Sequence, residues 1–174
     1  MALPAPAQIY LVGFMGAGKT TVGAELAALL GWRFADLDAA IVSREGLSVD
    51  EIFRSGGEPR FRAVERDVLI TLTSMPSLVV ATGGGTYVAE ANRSLVEAAG
   101  VSVWLQVSLA EAVRRCAGGP ARPLWGARAD LESLYRYRTE FYRCARIAVD
   151  TDGETPARVS RRILNEMEGL GIAR

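Results

Sequence analysis

The stretch Gly13-Phe14-Met15-Gly16-Ala17-Gly18-Lys19-Thr20 constrains this chain more than any other, because it fits GxxxxGK[ST] at every fixed position. It follows an apolar run, Ile9 to Val12, and opens a segment of helical period, Thr20 to Leu30, that stops at Gly31 as a C-cap should. A strand, a glycine loop and a helix in that order turn successive backbone N–H groups inward around one anion. The partial positive charge of the helix N-terminus adds to that field. Gly16, Ala17, Gly18, Lys19, Thr20 and Thr21 are therefore the expected contacts for a nucleotide's phosphates. Lys19 brings a mobile point charge for the β and γ phosphates. Thr20 brings a hydroxyl oxygen suited to Mg²⁺, a hard cation that keeps several of its waters.

The rest of the chain repeats the alternation of short apolar runs with longer helical patterns. Arg33 to Ala35, Leu78 to Thr82, Val101 to Gln106 and Ile147 to Val149 read as further strands. Helical periods run over Pro59 to Thr73, Ala89 to Ala99, Asp130 to Cys144 and Pro156 to Glu168. Ser48-Val49-Asp50-Glu51 and Ser108-Leu109-Ala110-Glu111 are capping-box patterns that open helices. This order predicts an α/β fold with a mainly parallel sheet. The length of 174 residues, with no repeat or low-complexity linker, predicts one domain spanning 1–174. Ala117 to Gly126 holds three glycines and two prolines between two helical patterns and reads as a loop or lid, with a plain surface connection as the alternative.

Composition removes whole classes of chemistry. The chain has no histidine, which excludes Ser-His and Cys-His nucleophile systems and the usual zinc sites. The two cysteines, Cys116 and Cys144, read as reduced thiols in a domain large enough to fold without a disulfide. Twenty basic and twenty acidic residues cancel, so no global field draws the chain to nucleic acid or to anionic lipid. The start lacks the positive region of a secretory signal, and no apolar run reaches the roughly 20 residues that a membrane helix needs, so the cytoplasm is expected. No dimerisation stripe is evident, and a monomer is expected.

Two features lie at the expected ligand edge of the sheet. In Asp36-Leu37-Asp38, extended backbone would point both carboxylates the same way, one toward a metal shell and the other toward an attacking hydroxyl. The alternative is an N-cap at Asp38 with Asp36 a solvated turn residue. The third strand ends in Gly83-Gly84-Gly85 instead of the acid of a usual Walker B motif, which suits either a substrate resting on peptide N–H groups or a flexible turn. The missing acid argues against a motor ATPase or a regulatory GTPase. An NKxD-type guanine motif is impossible where Lys19 is the only lysine.

Together these pieces resemble shikimate kinase: GFMGAGKTTVG at the loop, DLD after strand two, GGEPRFRAVE leading a helix, TGGG after strand three, ARPLW in the loop and YRTEFY in a late helix. The resemblance spans Gly13 to Tyr142. It implies a three-layer αβα fold like that of nucleoside monophosphate kinases, a five-stranded parallel sheet in order 2-3-1-4-5, a mobile lid at about 117–128 and a substrate-binding helical region at about 38–66. It implies transfer of the γ-phosphoryl of ATP to the 3-hydroxyl of shikimate, with Mg²⁺ as cofactor, on the chorismate route to aromatic amino acids. Lys19, Asp38 and Arg122 match the family's catalytic residues, and Asp38, Arg62, Gly83, Gly84, Gly85 and Arg138 its shikimate contacts, the two arginines gripping the carboxylate. Arg122 matches the lid arginine that reaches the phosphates, Arg115 the adenine-side arginine, and Thr20 with Asp36 the metal shell. Glu65 is expected to orient Arg62 or a substrate hydroxyl, and Phe53 and Phe61 to wall the acceptor pocket or to be ordinary core aromatics. The lid departs from many relatives in reading GGPARPLW, and the segment Asp150 to Glu154 after strand five is acidic.

Overall fold

A computed structural model describes residues 8–117 and 128–172, with side chains from 130 onward in the second span. Its sheet has five strands: β1 (Gln8–Val12), β2 (Arg33–Asp36), β3 (Leu78–Ala81), β4 (Val101–Gln106) and β5 (Ile147–Asp150). They lie in the order β2-β3-β1-β4-β5, and all four neighbouring pairs are parallel. The expected order therefore stands. All of β1 and β3 is buried, so these central strands are near-continuous apolar runs, whereas the edge strand β5 alternates buried and exposed residues.

The helices are α1 (Lys19–Leu30), α2 (Leu37–Glu45), α3 (Val49–Thr73), α4 (Glu90–Ala99), α5 (Leu109–Cys116), α6 (Arg128–Tyr142) and α7 (Pro156–Gly169). Right-handed crossovers explain the layering. The chain steps one way across the sheet from β1 to β2 and the other way from β2 onward, which sends α1 to one face and the later crossover helices to the opposite one. Accordingly α1 packs on α7, while α3 runs against α2 and α4.

Three local expectations change. Leu37–Glu45 is a helix that the apolar runs do not announce; it buries Leu37 and Ile41, one turn apart, and ends on left-handed Gly46. The capping box at Ser48 closes in both directions, but the helix it opens joins the segment expected from Pro59. The two are separated only by a break at Gly57, whose φ of 69° lies outside the helical region. At Ser108 the box forms by half: Ser108 Oγ accepts the Glu111 N–H at 3.2 Å, but the Glu111 carboxylate turns to Arg114 and Arg115. The Ser108 N–H goes to Asp152 instead.

Register brings the site together. Leu11 and Asp36 both pair with Ala81, Val12 pairs with Trp104, and Gln106 pairs with Asp150. The segments that leave these C-terminal strand ends, beginning at 13, 37, 82, 107 and 151, therefore emerge along a single sheet edge. That is where ligands of open parallel sheets collect.

Candidate active site

The phosphate-binding loop occupies the central crevice of that edge. Gly18 is the N-cap of α1, and Gly16, at φ 76°, lies against α5. A Cβ on Gly16 would stand 2.8 Å from the Ala112 carbonyl oxygen, so the turn and the packing both require glycine there. Lys19 Nζ donates to the carbonyls of Gly13 at 2.8 Å and Phe14 at 2.9 Å, which holds the ammonium over the loop. Gly16, Gly18, Lys19, Thr20 and Thr21 line a cavity of about 330 Å³, and Asp36, Asp38, Gly83, Gly84 and Arg115 line it too. Ala17 differs from its neighbours: its side chain is buried, and its N–H turns back to the Phe14 carbonyl at 3.2 Å.

Asp36 and Asp38 reach the cavity by a different route from the one their spacing suggests. Asp36 ends β2 in extended conformation and is the N-cap of α2, its Oδ1 accepting the Ala39 N–H at 3.2 Å. Asp38 already lies in the first helical turn, so the shared extended face does not exist, and the cap falls on Asp36 instead of Asp38. The other Asp36 oxygen accepts from Thr20 Oγ1 at 2.7 Å. A hydroxyl and a carboxylate oxygen in contact beside a phosphate loop suit a Mg²⁺ that retains most of its waters. No cluster of three or more acidic, cysteine or histidine side chains capable of caging a metal occurs among the described residues.

Arg115 borders the loop from α5. Its Nη1 donates to the Gly16 carbonyl at 3.1 Å and its Nη2 to the Thr151 carbonyl at 2.6 Å, which ties the loop to the segment after β5. Glu111 accepts from Arg115 Nε and from Arg114, both at 2.7 Å, and these hydrogen bonds hold its carboxyl at about 2. Cys116, a residue that carried no expectation at this site, lines the same cavity.

Beyond Gly83 and Gly84 stands a second group of side chains. Arg62 Nη1 donates to Glu65 Oε2 at 2.9 Å, while its Nε and Nη2 each reach Glu58 Oε1 at 3.2 Å. Burial opposes the Arg62 cation, but Glu65 and Glu58 outweigh it and the guanidinium sits above its ordinary range. Its Cζ lies 5.2 Å from the centre of the Phe61 ring, which stacks on Phe53 with centroids 4.7 Å apart. The contact of Glu65 with Arg62 agrees with the first of its two expected roles.

Arg138 is 7% exposed and, among the described residues, has no carboxylate within ion-pair distance. Burial presses its cation below the ordinary range; Tyr142 offsets part of this and the nearby Arg62 adds to it. Glu58 and Glu65 also favour the cation, from beyond ion-pair distance. Tyr142, in turn, donates to the Gly84 carbonyl from a ring that is 1% exposed.

The three glycines have distinct neighbours. A Cβ on Gly83 would come within 3.1 Å of Asp38 Oδ1 and 3.2 Å of Glu65 Oε1, one on Gly84 within 3.0 Å of Arg138 Nη1, and one on Gly85 would overlap the Arg62 guanidinium. The triplet therefore makes room for the charged groups of three helices. Arg122, with the rest of 118–127 and its Trp125, lies outside the described residues. Besides Cys116, Glu58, Thr86 and Tyr142 are site neighbours to which sequence reasoning assigned no role. Their only signal was position: Glu58 one turn before Arg62, Thr86 directly after the triplet, and Tyr142 one turn after Arg138.

The family model for shikimate kinase matches residues 15–168. The chain is 45% identical over 168 residues to a shikimate kinase of Halorhodospira halophila, covering 94% of this chain and 95% of that one. It is 42% identical over 160 residues to one from Moorella thermoacetica, at 91% and 92% coverage. Among solved structures, a shikimate kinase from Acinetobacter baumannii in complex with shikimate superposes with a TM-score of 0.90 at 37% identity, over 95% of this chain and 94% of that one.

Proposed function

The chain belongs to the shikimate kinase family, and from that membership we propose that it transfers the γ-phosphoryl group of ATP to the 3-hydroxyl of shikimate. The observation that carries the choice of acceptor is the buried Arg138, which among the described residues has no carboxylate at ion-pair distance, beside Arg62, both packed against the glycine triplet that adjoins the phosphate cavity. Two guanidinium forks converging on a turn fit a small carboxylate. The Acinetobacter baumannii relative, solved with shikimate bound, supports the same acceptor.

Phosphoryl transfer asks for positioning and charge compensation more than for covalent chemistry. The loop N–H groups and Lys19 hold the nucleotide's phosphates, and Arg115 borders the base side. Arg62, Arg138 and the Gly83–Gly85 peptides hold the acceptor. Asp38, in the wall between the two, orients the attacking hydroxyl and accepts its proton late in transfer. Thr20 and Asp36 would hold Mg²⁺, which supplies charge neutralisation at the phosphates when bound. Arg122 is assigned to the phosphates on the family motif alone, and its replacement by alanine is expected to lower kcat on the order of 10³-fold. No helix among the described residues is long and apolar enough to cross a membrane. We take the chain to be a cytoplasmic monomer whose partners are its two substrates, and its balanced charge supplies no field toward nucleic acid or anionic lipid.

The test is ADP release from Mg-ATP with and without shikimate, beside gluconate and nucleoside monophosphates. Stimulation by shikimate alone is the expected result. Stimulation by another acceptor would overturn the roles given to Arg62 and Arg138, and ATP binding without acceptor-dependent turnover would overturn the kinase reading.

A further inference from the structure

The residue after the glycine triplet carries a hydroxyl that the reaction as described does not use. Thr86 is fully buried, and its Oγ1 donates to Glu65 Oε1 at 2.6 Å. Glu65 is fully buried as well, and its second oxygen accepts from Arg62 at 2.9 Å. A carboxylate with each oxygen held by a different donor cannot rotate about its last bond without breaking one of them, and in a buried setting the loss is not made good by water. Thr86 is itself pinned at the backbone. Its N–H donates to the Gly83 carbonyl at 3.2 Å, and its carbonyl accepts from Asn92 Nδ2 at 3.0 Å. Asn92 belongs to α4 and is buried.

We propose that Thr86 is a positioning residue for the acceptor: acting through Glu65, its hydroxyl sets where Arg62 presents its guanidinium to the acceptor carboxylate. The inference rests on the reading of Arg62 as an acceptor contact. Its physical content is a rigid line of hydrogen bonds, Asn92 to Thr86 to Glu65 to Arg62, that joins α4, the glycine turn and α3. The same turn that provides the peptide floor of the acceptor pocket thereby aims one of its two cations, so floor and cation cannot drift apart. Without the hydroxyl, Glu65 Oε1 would be a buried acceptor lacking its donor, and the carboxylate would swing to find another. Arg62 would then follow its remaining partner, the exposed Glu58, away from the pocket.

A role confined to satisfying a buried carboxylate would lower stability and disturb both substrates alike, whereas a positioning role is selective. The experiment compares Thr86→Val, which keeps the shape and removes the hydroxyl, with Thr86→Ser, which keeps the hydroxyl. Steady-state KM for shikimate and for ATP and the melting temperature are measured on each. In T86V the shikimate KM is expected to rise about tenfold, with the ATP KM within about twofold, and T86S is expected to restore both to near the parent values. An unchanged shikimate KM in T86V overturns the proposal. So does a T86S variant as impaired as T86V, or a parallel rise of both KM values with a fall in melting temperature. If T86V does not fold, T86A is read by the same criteria. The parent's own acceptor dependence separates the two ideas: a parent that ignores shikimate defeats the functional reading, while an active parent with an indifferent T86V defeats only the role of Thr86.

Discussion

The two sides of this cavity, proposed for nucleotide and for acceptor, are built on opposite principles. The phosphate loop is one continuous stretch of chain, 13–20, between a buried strand and the helix it starts. Its working groups are peptide N–H dipoles and one lysine that is held by the loop's own carbonyls. The side proposed for the acceptor draws Asp38 from α2, Arg62 and Glu65 from α3, the glycine turn from the end of β3 and Arg138 with Tyr142 from α6. Its proposed working groups are charged side chains and the peptides of the glycine turn, which lacks Cβ atoms where those charges approach. A site made of local backbone is organised as soon as its strand and helix form. A site made of buried and half-buried charges exists only when four elements have docked, and until then each charge would be solvated separately.

The two sides are expected to separate in kinetics. Lys19→Met is expected to lower kcat on the order of 10³-fold while shikimate affinity, measured by titration of the free variant, stays within about twofold. Arg138→Met is expected to do the reverse, lowering kcat/KM for shikimate by about 10²-fold to 10³-fold with the ATP KM within about threefold. Equal losses for both substrates in either variant would show that the sides are coupled rather than separate.

A smaller effect sharpens the contrast between the two uses of glycine. In Gly84→Ala the new Cβ meets the end of a side chain, Arg138 Nη1, at 3.0 Å, so the guanidinium is displaced and the backbone is kept. The shikimate KM is expected to rise about tenfold with little change in melting temperature. In Gly16→Ala the Cβ meets a backbone carbonyl at 2.8 Å at a residue with φ 76°, and nothing can yield without moving the loop. That variant is expected to lose about 1–3 kcal/mol of stability and to raise the ATP KM, as thermal melts and nucleotide titration would report.

The smallest effect lies on the nucleotide side alone. The Glu111 carboxyl is held at about 2, against an ordinary 4.5, first by its hydrogen bond from Arg114 and then by that from Arg115. A group whose folded value is depressed stabilises the fold above its unfolded value and loses that contribution as pH falls through the folded one. The stabilisation from Glu111 is therefore complete above pH 4.5 and lost progressively toward about pH 2. Glu111→Gln is expected to melt with a shallower dependence on pH in that window and to leave the shikimate KM unchanged at neutral pH. The size is modest because Arg114 is exposed and such pairs are screened.

What could be read from the residues follows the same division. Strands β1 and β3 were legible because a strand buried on both faces is a near-continuous apolar run, and β4, with Trp104 and Gln106 only partly buried, still kept enough of one. Helix α2 was not, since its nine residues bury only Leu37 and Ile41 and leave no periodic stripe to detect. The continuity of α3 was hidden by Gly56, Gly57 and Pro59, which read as a boundary but produce only a break at Gly57. Spacing implied a shared face for Asp36 and Asp38; the structure gives Asp36 to a helix cap because the strand ends there, and the cavity still collects both. Arg62 and Arg138 stood out from the other arginines only through resemblance to a family, as no local pattern marks a surface-like helical arginine for burial.

By itself, then, the sequence determined the phosphate loop, the alternation that yields a parallel α/β sheet and the exclusion of histidine and zinc chemistry. Each of these depends on residues that are neighbours in the chain or on composition. Only the tertiary structure decided which charges would be buried together, that Glu65 would divide its oxygens between Arg62 and Thr86, that Arg138 would stand without a carboxylate partner among the described residues, and that three glycines would make space for three helices. Those outcomes depend on the docking of elements far apart in sequence, where desolvation and close approach set the energy and no short pattern records it.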